Sequence, residues 1–154
     1  MQATLVILKP SAVHRGLLGE VISRFEKKGI QIVGMKMLCL SDKVLEEHYS
    51  HIKEKPFYGR VKESMQASPV IVMALKGLDV VNVVRKLSGT TNGRDAQPGT
   101  IRGDYCMSVQ ENIVHASDSL EAAEVELARF FNANEIHDYP RQTMQSLYAP
   151  DEFS

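Results

Sequence analysis

His115 is the residue whose sequence neighbours most suggest chemistry. It follows a short apolar segment, Ile113-Val114, and precedes Ser117-Asp118, which we expect to begin a helix. An imidazole at that position would lie at the mouth of a sheet and beside a helix N-terminus, where anions bind. A neutral imidazole there is a candidate nucleophile toward an anionic substrate. For a lone histidine, a structural role is the simpler interpretation.

Residues 88–104 form a candidate anion-binding loop. The segment fits neither a helix nor a strand, and structureless loops longer than about 12–15 residues are usually functional or disordered. Its four glycines allow close backbone approach, and Arg85, Arg94 and Arg102 offer planar donors that suit phosphate. Composition alone equally allows a solvated loop.

Known phosphate-binding turns and metal motifs are absent from the sequence. It contains neither GxxxxGK[ST] nor GxGxxG, so neither a P-loop nor a Rossmann turn would hold a nucleotide. His48 and His51 could share a ligand, but His48 falls in the apolar stripe of its helix and we interpret it as a packed side chain. We expect no metal bound by protein side chains, and any Mg²⁺ would arrive on phosphates.

The overall composition suits a globular protein with a single domain, residues 1–154. The chain carries 18 Lys and Arg against 19 Asp and Glu, and a net charge of -1 disfavours a protein that coats nucleic acid or an anionic membrane. Cys39 and Cys106 form no zinc or disulfide motif, and no segment resembles a signal peptide or membrane span. We expect a cytoplasmic protein with no membrane partner and no stable nucleic-acid binding.

The apolar pattern predicts the elements that position these residues. Unbroken apolar runs indicate buried strands, and spacings of three and four indicate helices. The predicted elements are, in order, a strand at Thr4–Leu8, a helix within residues 16–29 that stops at Gly29, and a strand at Ile30–Leu38 with a bulge at Val33-Gly34. They continue with a helix capped by Ser41 or Asp42 and carrying Val44, Leu45, His48 and Ile52, a short helix from Phe57 to about Met65, and a strand at Pro69–Leu75. The last are a helix at Asp79–Leu87 closed by Gly89, a short strand at Ile113–His115, and a helix opened by a capping box at Asp118 and Glu121.

The element order, β-α-β-(α-α)-β-α-β-α, favours an α+β fold. A split βαβ arrangement accounts for it best, with four strands in a mostly antiparallel sheet and helices on one face. A doubly wound parallel sheet is the alternative, but it would need longer and more numerous strands.

Three motifs resemble those of nucleoside diphosphate kinases. They are KPSAVHRGLLGEVISRFEKKG at 9–29, PGTIRGD at 98–104 and NIVHASDS at 112–119, and the similarity runs from about Thr4 to Tyr139. The resemblance implies a ferredoxin-like βαββαβ core and a ping-pong reaction of broad base specificity. A histidine would take the γ-phosphoryl group of a nucleoside triphosphate, typically ATP, and pass it to a nucleoside diphosphate. Mg²⁺ as cofactor and a homo-oligomer, most often a hexamer, are implied as well.

The resemblance assigns a role to each matching position. His115 would form the phosphohistidine on its pros nitrogen, Glu126 would bind the other ring nitrogen, and Tyr49 and Ser117 would fix the surroundings of the ring. Lys9 would reach the phosphates and the sugar 3′-hydroxyl. The other positions would bind nucleotide: the phosphates by Arg85, Thr91 and Arg102, the ribose by Asn112, and the base by Phe57 with Val61 and Val109.

Two assignments have alternatives from the pattern itself. Glu124 and Glu126 both flank the apolar stripe of the last helix, so periodicity does not choose between them, whereas the resemblance selects Glu126. Phe57 could instead pack in the core. A base slot that only stacks would accept every base, since each base has a π-face.

Four positions depart from the usual family pattern, namely Ser11, Ala12, Gly93 and Ala116. Ala116 would be strained by about 1–2 kcal/mol only if its φ had to be positive, and Gly93 would loosen the loop. None of the four is assigned to chemistry. A catalytically silent nucleotide-binding module is therefore the weaker hypothesis, and the net charge disfavours a nucleic-acid-binding one.

Overall fold

One antiparallel sheet organises the molecule. Its strands are β1 (Gln2–Leu8), β2 (Gln31–Leu38), β3 (Val70–Gly77) and β4 (Val114–Ala116). The computed structural model describes residues 1–152 and orders the strands β2-β3-β1-β4, with every neighbouring pair antiparallel. The predicted α+β class and ferredoxin-like βαββαβ core are confirmed.

Eight helices lie between and after the strands in the described residues. They are α1 (Pro10–His14), α2 (Leu18–Lys28), α3 (Asp42–His48), α4 (Tyr58–Gln66), α5 (Val80–Ser88), α6 (Ile101–Tyr105), α7 (Leu120–Phe130) and α8 (Met144–Leu147), with 3₁₀ turns at Ala133–Glu135 and Pro150–Glu152. Within residues 1–152 no helix combines the length and apolar character that crossing a bilayer demands.

Helices cover both faces of the sheet, so the expectation of helices on one face is wrong. Val6 and Leu8 of β1 pack in an apolar cluster with α2 and α5 on one face of the sheet, whereas Leu5 and Ile7 pack in a second cluster with α3 and α7 on the other face. β3 alternates in the same way. The two central strands are apolar on both sides, and such strands require burial on both sides.

One of the two predicted helix caps is confirmed and the other is shifted by one residue. Ser41, the first of the two candidates, caps α3 by accepting from the Val44 amide. At α7 the cap is Ser119, which accepts from the Ala122 amide, so the predicted cap at Asp118 is one residue too early. α3 also ends at His48, and Ile52 lies beyond the helix to which its spacing assigned it.

The loop predicted to be irregular contains a helical turn. α6 begins after Thr100, whose hydroxyl accepts from the Gly103 amide at 3.0 Å. Position 103 has room only for glycine, because a Cβ there would lie 1.9 Å from the Gln97 carbonyl oxygen. Neither α6 nor α1 is visible in the pattern, since five residues show no helical period.

The bulge in β2 is where the slip in apolar phase predicts it. Ile32 pairs with Leu75 and Gly34 with Ala74, which leaves Val33 as the extra residue. A Cβ at Gly34 would lie 3.0 Å from the Glu135 carbonyl oxygen, so glycine lets the 3₁₀ turn after α7 approach the strand.

Candidate active site

Strand alternation directs His115 toward the face covered by α3 and α7. Its neighbours Val114 and Ala116 pack with the cluster on the opposite face, so the ring between them points the other way. The described strand is Val114–Ala116, one residue later than predicted, because Ile113 has φ 56° and cannot continue the ladder. His115 lines a cavity of about 640 Å³.

The Glu126 carboxylate holds one ring nitrogen of His115. Glu126 Oε2 lies 2.5 Å from His115 Nε2, and Glu126 is buried. A carboxylate accepts, so in the neutral ring the proton is on Nε2 and the lone pair is on Nδ1, the pros nitrogen. Glu124, which periodicity left as an alternative, is exposed.

Lys9 lies at the end of β1 in the same cavity. Its Nζ donates to Asn112 Oδ1 at 2.7 Å. Burial, followed by the nearby Arg102 charge, lowers the pKa of Lys9 to about 8. The ammonium group is thus poorly solvated, and an anion that entered the cavity would favour its charged form.

The Arg102 guanidinium forms hydrogen bonds to three backbone segments. It donates to the carbonyl oxygens of Gly89 at 2.8 Å, Val114 at 2.6 Å and Asn112 at 3.4 Å. Burial lowers the pKa of Arg102, yet a guanidinium stays charged. This contact ties the loop to β4 and brings a fixed positive charge to the cavity wall.

Arg85 lines the same cavity from α5. Its guanidinium pairs with the exposed Asp118 carboxylate at 2.5 Å. An exposed ion pair of this kind contributes little to stability. Arg85 can therefore exchange Asp118 for another anion at small cost.

Thr91 and Asn112 join this cavity to a second one of about 460 Å³. Asn112 Nδ2 donates to the carbonyl oxygens of Thr91 and Val109, at 3.0 and 2.9 Å. The amide therefore fixes the edge of the loop and leaves part of its Oδ1 for a ligand.

Phe57, Val61 and Val109 line the second cavity. Phe57 is 39 % exposed and Val109 is 52 % exposed, so the alternative that Phe57 packs in the core is wrong. An exposed ring facing an apolar slot is suited to stacking on a planar group.

Tyr49 and Ser117 have different relations to His115. Tyr49 lines both cavities, and burial, then the Glu126 charge, raises the pKa of its phenol to about 12. The Ser117 hydroxyl instead accepts from the Leu5 amide at 3.3 Å. Ser117 thus anchors the chain after β4 to β1, and its influence on the imidazole is indirect.

Several cavity residues lie outside the motifs that sequence reasoning selected. His48 is buried, as expected, but its ring meets that of His115 edge to face, with centroids 4.6 Å apart. Arg129 donates to its Nδ1 at 3.0 Å. Ile52, Arg60 and Gln110 also line the apolar slot. Their spacing gives no signal, because the tertiary fold brings them to the site.

Two of the positions that depart from the family pattern, Ala116 and Gly93, fit their surroundings in the structure. The non-glycine residues with positive φ among those described are Asp79 and Ile113. Ala116 is not one of them, so it carries no backbone strain from a positive φ. At Gly93, a Cβ would lie 2.4 Å from the Cys106 Cβ and carbonyl oxygen, and glycine is therefore required by packing here.

Comparisons with known proteins point to one family. The family model described as nucleoside diphosphate kinase matches residues 2–136. The chain is 63% identical over 153 residues to a nucleoside diphosphate kinase of Parabacteroides distasonis, covering 99% of this chain and 100% of that protein. It is 43% identical over 147 residues to human nucleoside diphosphate kinase A, covering 96% and 97%. A solved nucleoside diphosphate kinase of Halobacterium salinarum, in complex with CDP, has a TM-score of 0.93 and 38% identity, covering 96% of this chain and 98% of that one.

Proposed function

Because this chain belongs to the nucleoside diphosphate kinase family and is an enzyme that transfers the γ-phosphoryl group of a nucleoside triphosphate to a nucleoside diphosphate, we propose that His115 carries the phosphoryl group between the two nucleotides. One observation carries the proposal. His115 Nε2 is held by Glu126 at 2.5 Å, inside a cavity that Lys9, Arg85 and Arg102 also line. A nucleophile with a fixed tautomer thus lies among cations.

The proposed reaction has two steps, phosphorylation of His115 and transfer of the phosphoryl group to a nucleoside diphosphate. Nδ1 of His115 donates its lone pair to the γ-phosphorus, the bond from that phosphorus to the β,γ-bridging oxygen breaks, and the diphosphate leaves with the electron pair. In the second step a terminal oxygen of a nucleoside diphosphate attacks the same phosphorus, the N–P bond breaks, and Nδ1 regains its lone pair. Glu126 stabilises the positive charge that the ring acquires while it is phosphorylated.

The cations of the cavity bind the phosphates in this proposal. Arg85 and Arg102, with the Thr91 hydroxyl, grip the β- and γ-phosphates and stabilise the charge spread over the transferring group. Lys9 contacts the phosphates and the sugar 3′-hydroxyl, and Asn112 contacts the ribose. Tyr49 and Ser117 position the imidazole. Tyr49 does so as part of the wall of the cavity that His115 lines, and Ser117 by fixing the end of β4, the strand that carries His115.

The apolar slot binds the base. Phe57 stacks on one face of the base, and Val61 and Val109 cover the rest. Stacking does not read the edges of a base, and this supports broad base specificity.

Mg²⁺ is the cofactor in this proposal and enters on the nucleotide. Of the described residues, the group of side chains near enough to share a metal ion is His48, His115 and Glu126. Two imidazoles suit Zn²⁺ rather than Mg²⁺, which prefers oxygen ligands. Phosphate oxygens therefore hold the ion, and when bound it neutralises phosphate charge.

We also propose that the enzyme is a homo-oligomer, with a hexamer as the expected form. β2 lies at an edge of the sheet, and its Met35 and Met37 are 53 % and 55 % exposed. Apolar side chains on an open edge strand favour pairing with another chain. Light scattering coupled to size exclusion measures the number of subunits.

The cytoplasm is the proposed compartment. Cys39 and Cys106 are both free thiols, as expected in a reducing environment. Fractionation of the source cells, with detection of the protein in the cytosolic fraction, tests this.

Labelling tests the role of His115. Incubation with Mg²⁺ and ATP labelled at the γ position should add a single phosphoryl group that is labile to acid and stable to alkali, and His115→Ala should abolish it. Label that persists in His115→Ala would place the phosphoryl group elsewhere. A protein that binds nucleotide without taking up label would be a silent binding module.

A further inference from the structure

A chain of contacts runs from α7 to the ring of His115 and includes Arg129, which has no role so far. Arg129 Nη1 lies 3.0 Å from Nδ1 of His48, whose ring lies edge to face against that of His115. His48 Nδ1 is also 3.8 Å from Glu126 Oε2, the oxygen that holds His115 Nε2 at 2.5 Å. Two imidazoles therefore face one carboxylate oxygen.

Arg129 determines which imidazole can bind that oxygen. A guanidinium stays protonated and has donors only, so Nδ1 of His48 must be the acceptor in this contact. The proton of neutral His48 is then on Nε2, and Nδ1 has no hydrogen to donate to Glu126. The carboxylate oxygen remains with His115.

The surroundings of His48 also keep its ring neutral. Burial is the largest cause of a pKa lowered to about 3. The charged and titratable groups that add to it are His115 on β4, Arg129 on α7, His51 after α3 and Lys9 after β1. A neutral ring can exist as either tautomer, and the Arg129 contact selects between the two.

We propose that Arg129 is a positioning residue for phosphoryl transfer: by donating to His48, it fixes the Nε2–H tautomer of His48 and reserves Glu126 for His115. This inference rests on the proposed role of His115. The Arg129 side chain is 16% exposed and also faces Glu47, with Nε and the carboxylate oxygen 3.9 Å apart. In the absence of Arg129, the Nδ1–H tautomer of His48 donates to Glu126 and loosens its hold on His115.

The test compares three variants with the parent protein. Arg129→Leu removes the donor, Arg129→Lys keeps a charged donor, and Glu47→Gln changes only the partner on the other side of Arg129. Imidazole ¹⁵N chemical shifts of the free protein report the tautomer of each histidine. Rapid-quench phosphorylation by Mg²⁺-ATP gives the maximal rate and the half-saturating ATP concentration.

We expect Arg129→Leu to move the His48 proton from Nε2 to Nδ1. The maximal phosphorylation rate should fall about 10-fold, the lower end of the effect that outer partners of metal-bound histidines have, with the half-saturating ATP concentration unchanged. Arg129→Lys should keep the parent tautomer and most of the rate. Glu47→Gln should keep both.

Two results would overturn the proposal. One is an Arg129→Leu protein that keeps either the parent tautomer of His48 or the parent rate. The other is a rise in half-saturating ATP alone, which would make Arg129 a phosphate ligand. If Arg129→Leu does not fold, an Arg129→Lys protein with the Nδ1–H tautomer and the parent rate overturns it equally. The tautomer is measured without turnover, so this failure is distinct from label persisting in His115→Ala, which concerns His115 itself.

Discussion

Lys9 Nζ and Asn112 Oδ1 lie 2.7 Å apart and join the end of β1 to the segment that precedes β4. The two residues are 103 positions apart in the sequence. This hydrogen bond holds the cation at the junction of the two cavities that Lys9 and Asn112 both line, the first of which is also lined by His115. The poor solvation of Lys9 at that junction lowers its pKa into a range in which enzyme kinetics can follow the loss of its proton.

Nucleotide capture should weaken as the pH rises through about 8. Burial, then Arg102, lowers the pKa of Lys9 to about 8 in the free enzyme, so Lys9 is charged below that pH and neutral above it. Bound phosphates favour the charged form, so kcat should fall at higher pH than kcat/KM. Steady-state kinetics from about pH 6 to about pH 10 measures both. In Lys9→Arg the alkaline fall in kcat/KM should disappear, and a parent profile that is flat past pH 9 would contradict the role of Lys9.

Glu126→Gln should slow phosphorylation of His115 about 10- to 100-fold, the range known for carboxylates that orient metal-bound histidines, without preventing nucleotide binding. The amide lacks the charge that stabilises the phosphorylated ring, and it can donate as well as accept, so it no longer fixes the tautomer. Rapid-quench labelling measures the rate and calorimetry measures the binding. Glu124→Gln is the matched control, because this carboxylate lies on the same helix but is exposed. Equal rates in the two variants would mean that the Glu126 contact is not used.

The contrast between Glu124 and Glu126 also shows what the sequence could predict. Unbroken apolar runs and the slip in phase at Val33-Gly34 predicted the strands and the bulge, because those signals lie within one element. The choice of carboxylate needed the direction of His115, which depends on how β4 pairs with β1. Periodicity contains no information on that pairing, and only the resemblance to the family selected Glu126.

The contact between Arg129 and His48 is a stronger example of the same limit. The two residues are 81 positions apart and lie on different helices. The apolar stripe of α3 correctly predicted that His48 is buried, but burial alone does not reveal that the ring touches His115. α3 and α7 meet because both pack on the same face of the sheet, and the element order did not predict that helices cover this face as well as the other.

Asp118→Asn should increase the affinity for nucleoside triphosphate about threefold, the scale of an exposed ion pair. Asp118 pairs with Nη1 of Arg85 at 2.5 Å, so it competes with a phosphate for that guanidinium. Without the carboxylate, Arg85 is free for the incoming phosphate. Calorimetric titration of the His115→Ala background with Mg²⁺-ATP isolates binding from turnover. Weaker binding in Asp118→Asn would show that the pair orients Arg85 rather than competing for it.

Phe57→Ala should weaken binding of every nucleotide by a similar factor. Loss of one stacking ring costs about 1–3 kcal/mol per base, and stacking does not distinguish between bases. The free energy of unfolding should change little, since Phe57 is 39 % exposed. KM values for ATP, GTP, CTP and UTP and a thermal melt supply the comparison. Phe57→Tyr, which keeps the ring, is the control, and a change confined to one base would argue for edge recognition in the slot.

Arg102→Ala should lower both nucleotide affinity and stability. The guanidinium donates to the carbonyl oxygens of Gly89, Asn112 and Val114, and a partly buried acceptor without its donor costs about 1–3 kcal/mol. For a chain of this length that corresponds to a fall in Tm of about 2–4 °C for each kcal/mol.

Arg102→Lys separates the backbone contacts of this side chain from its proposed binding of phosphate. An ammonium keeps the charge for phosphate but cannot span three carbonyls with a planar fork, so part of the affinity should return while Tm stays low. Calorimetric melting and ATP titration of both variants provide the data. An Arg102→Ala protein that melts with the parent would mean that the carbonyl contacts contribute nothing to the fold, and the guanidinium would then serve the phosphates alone.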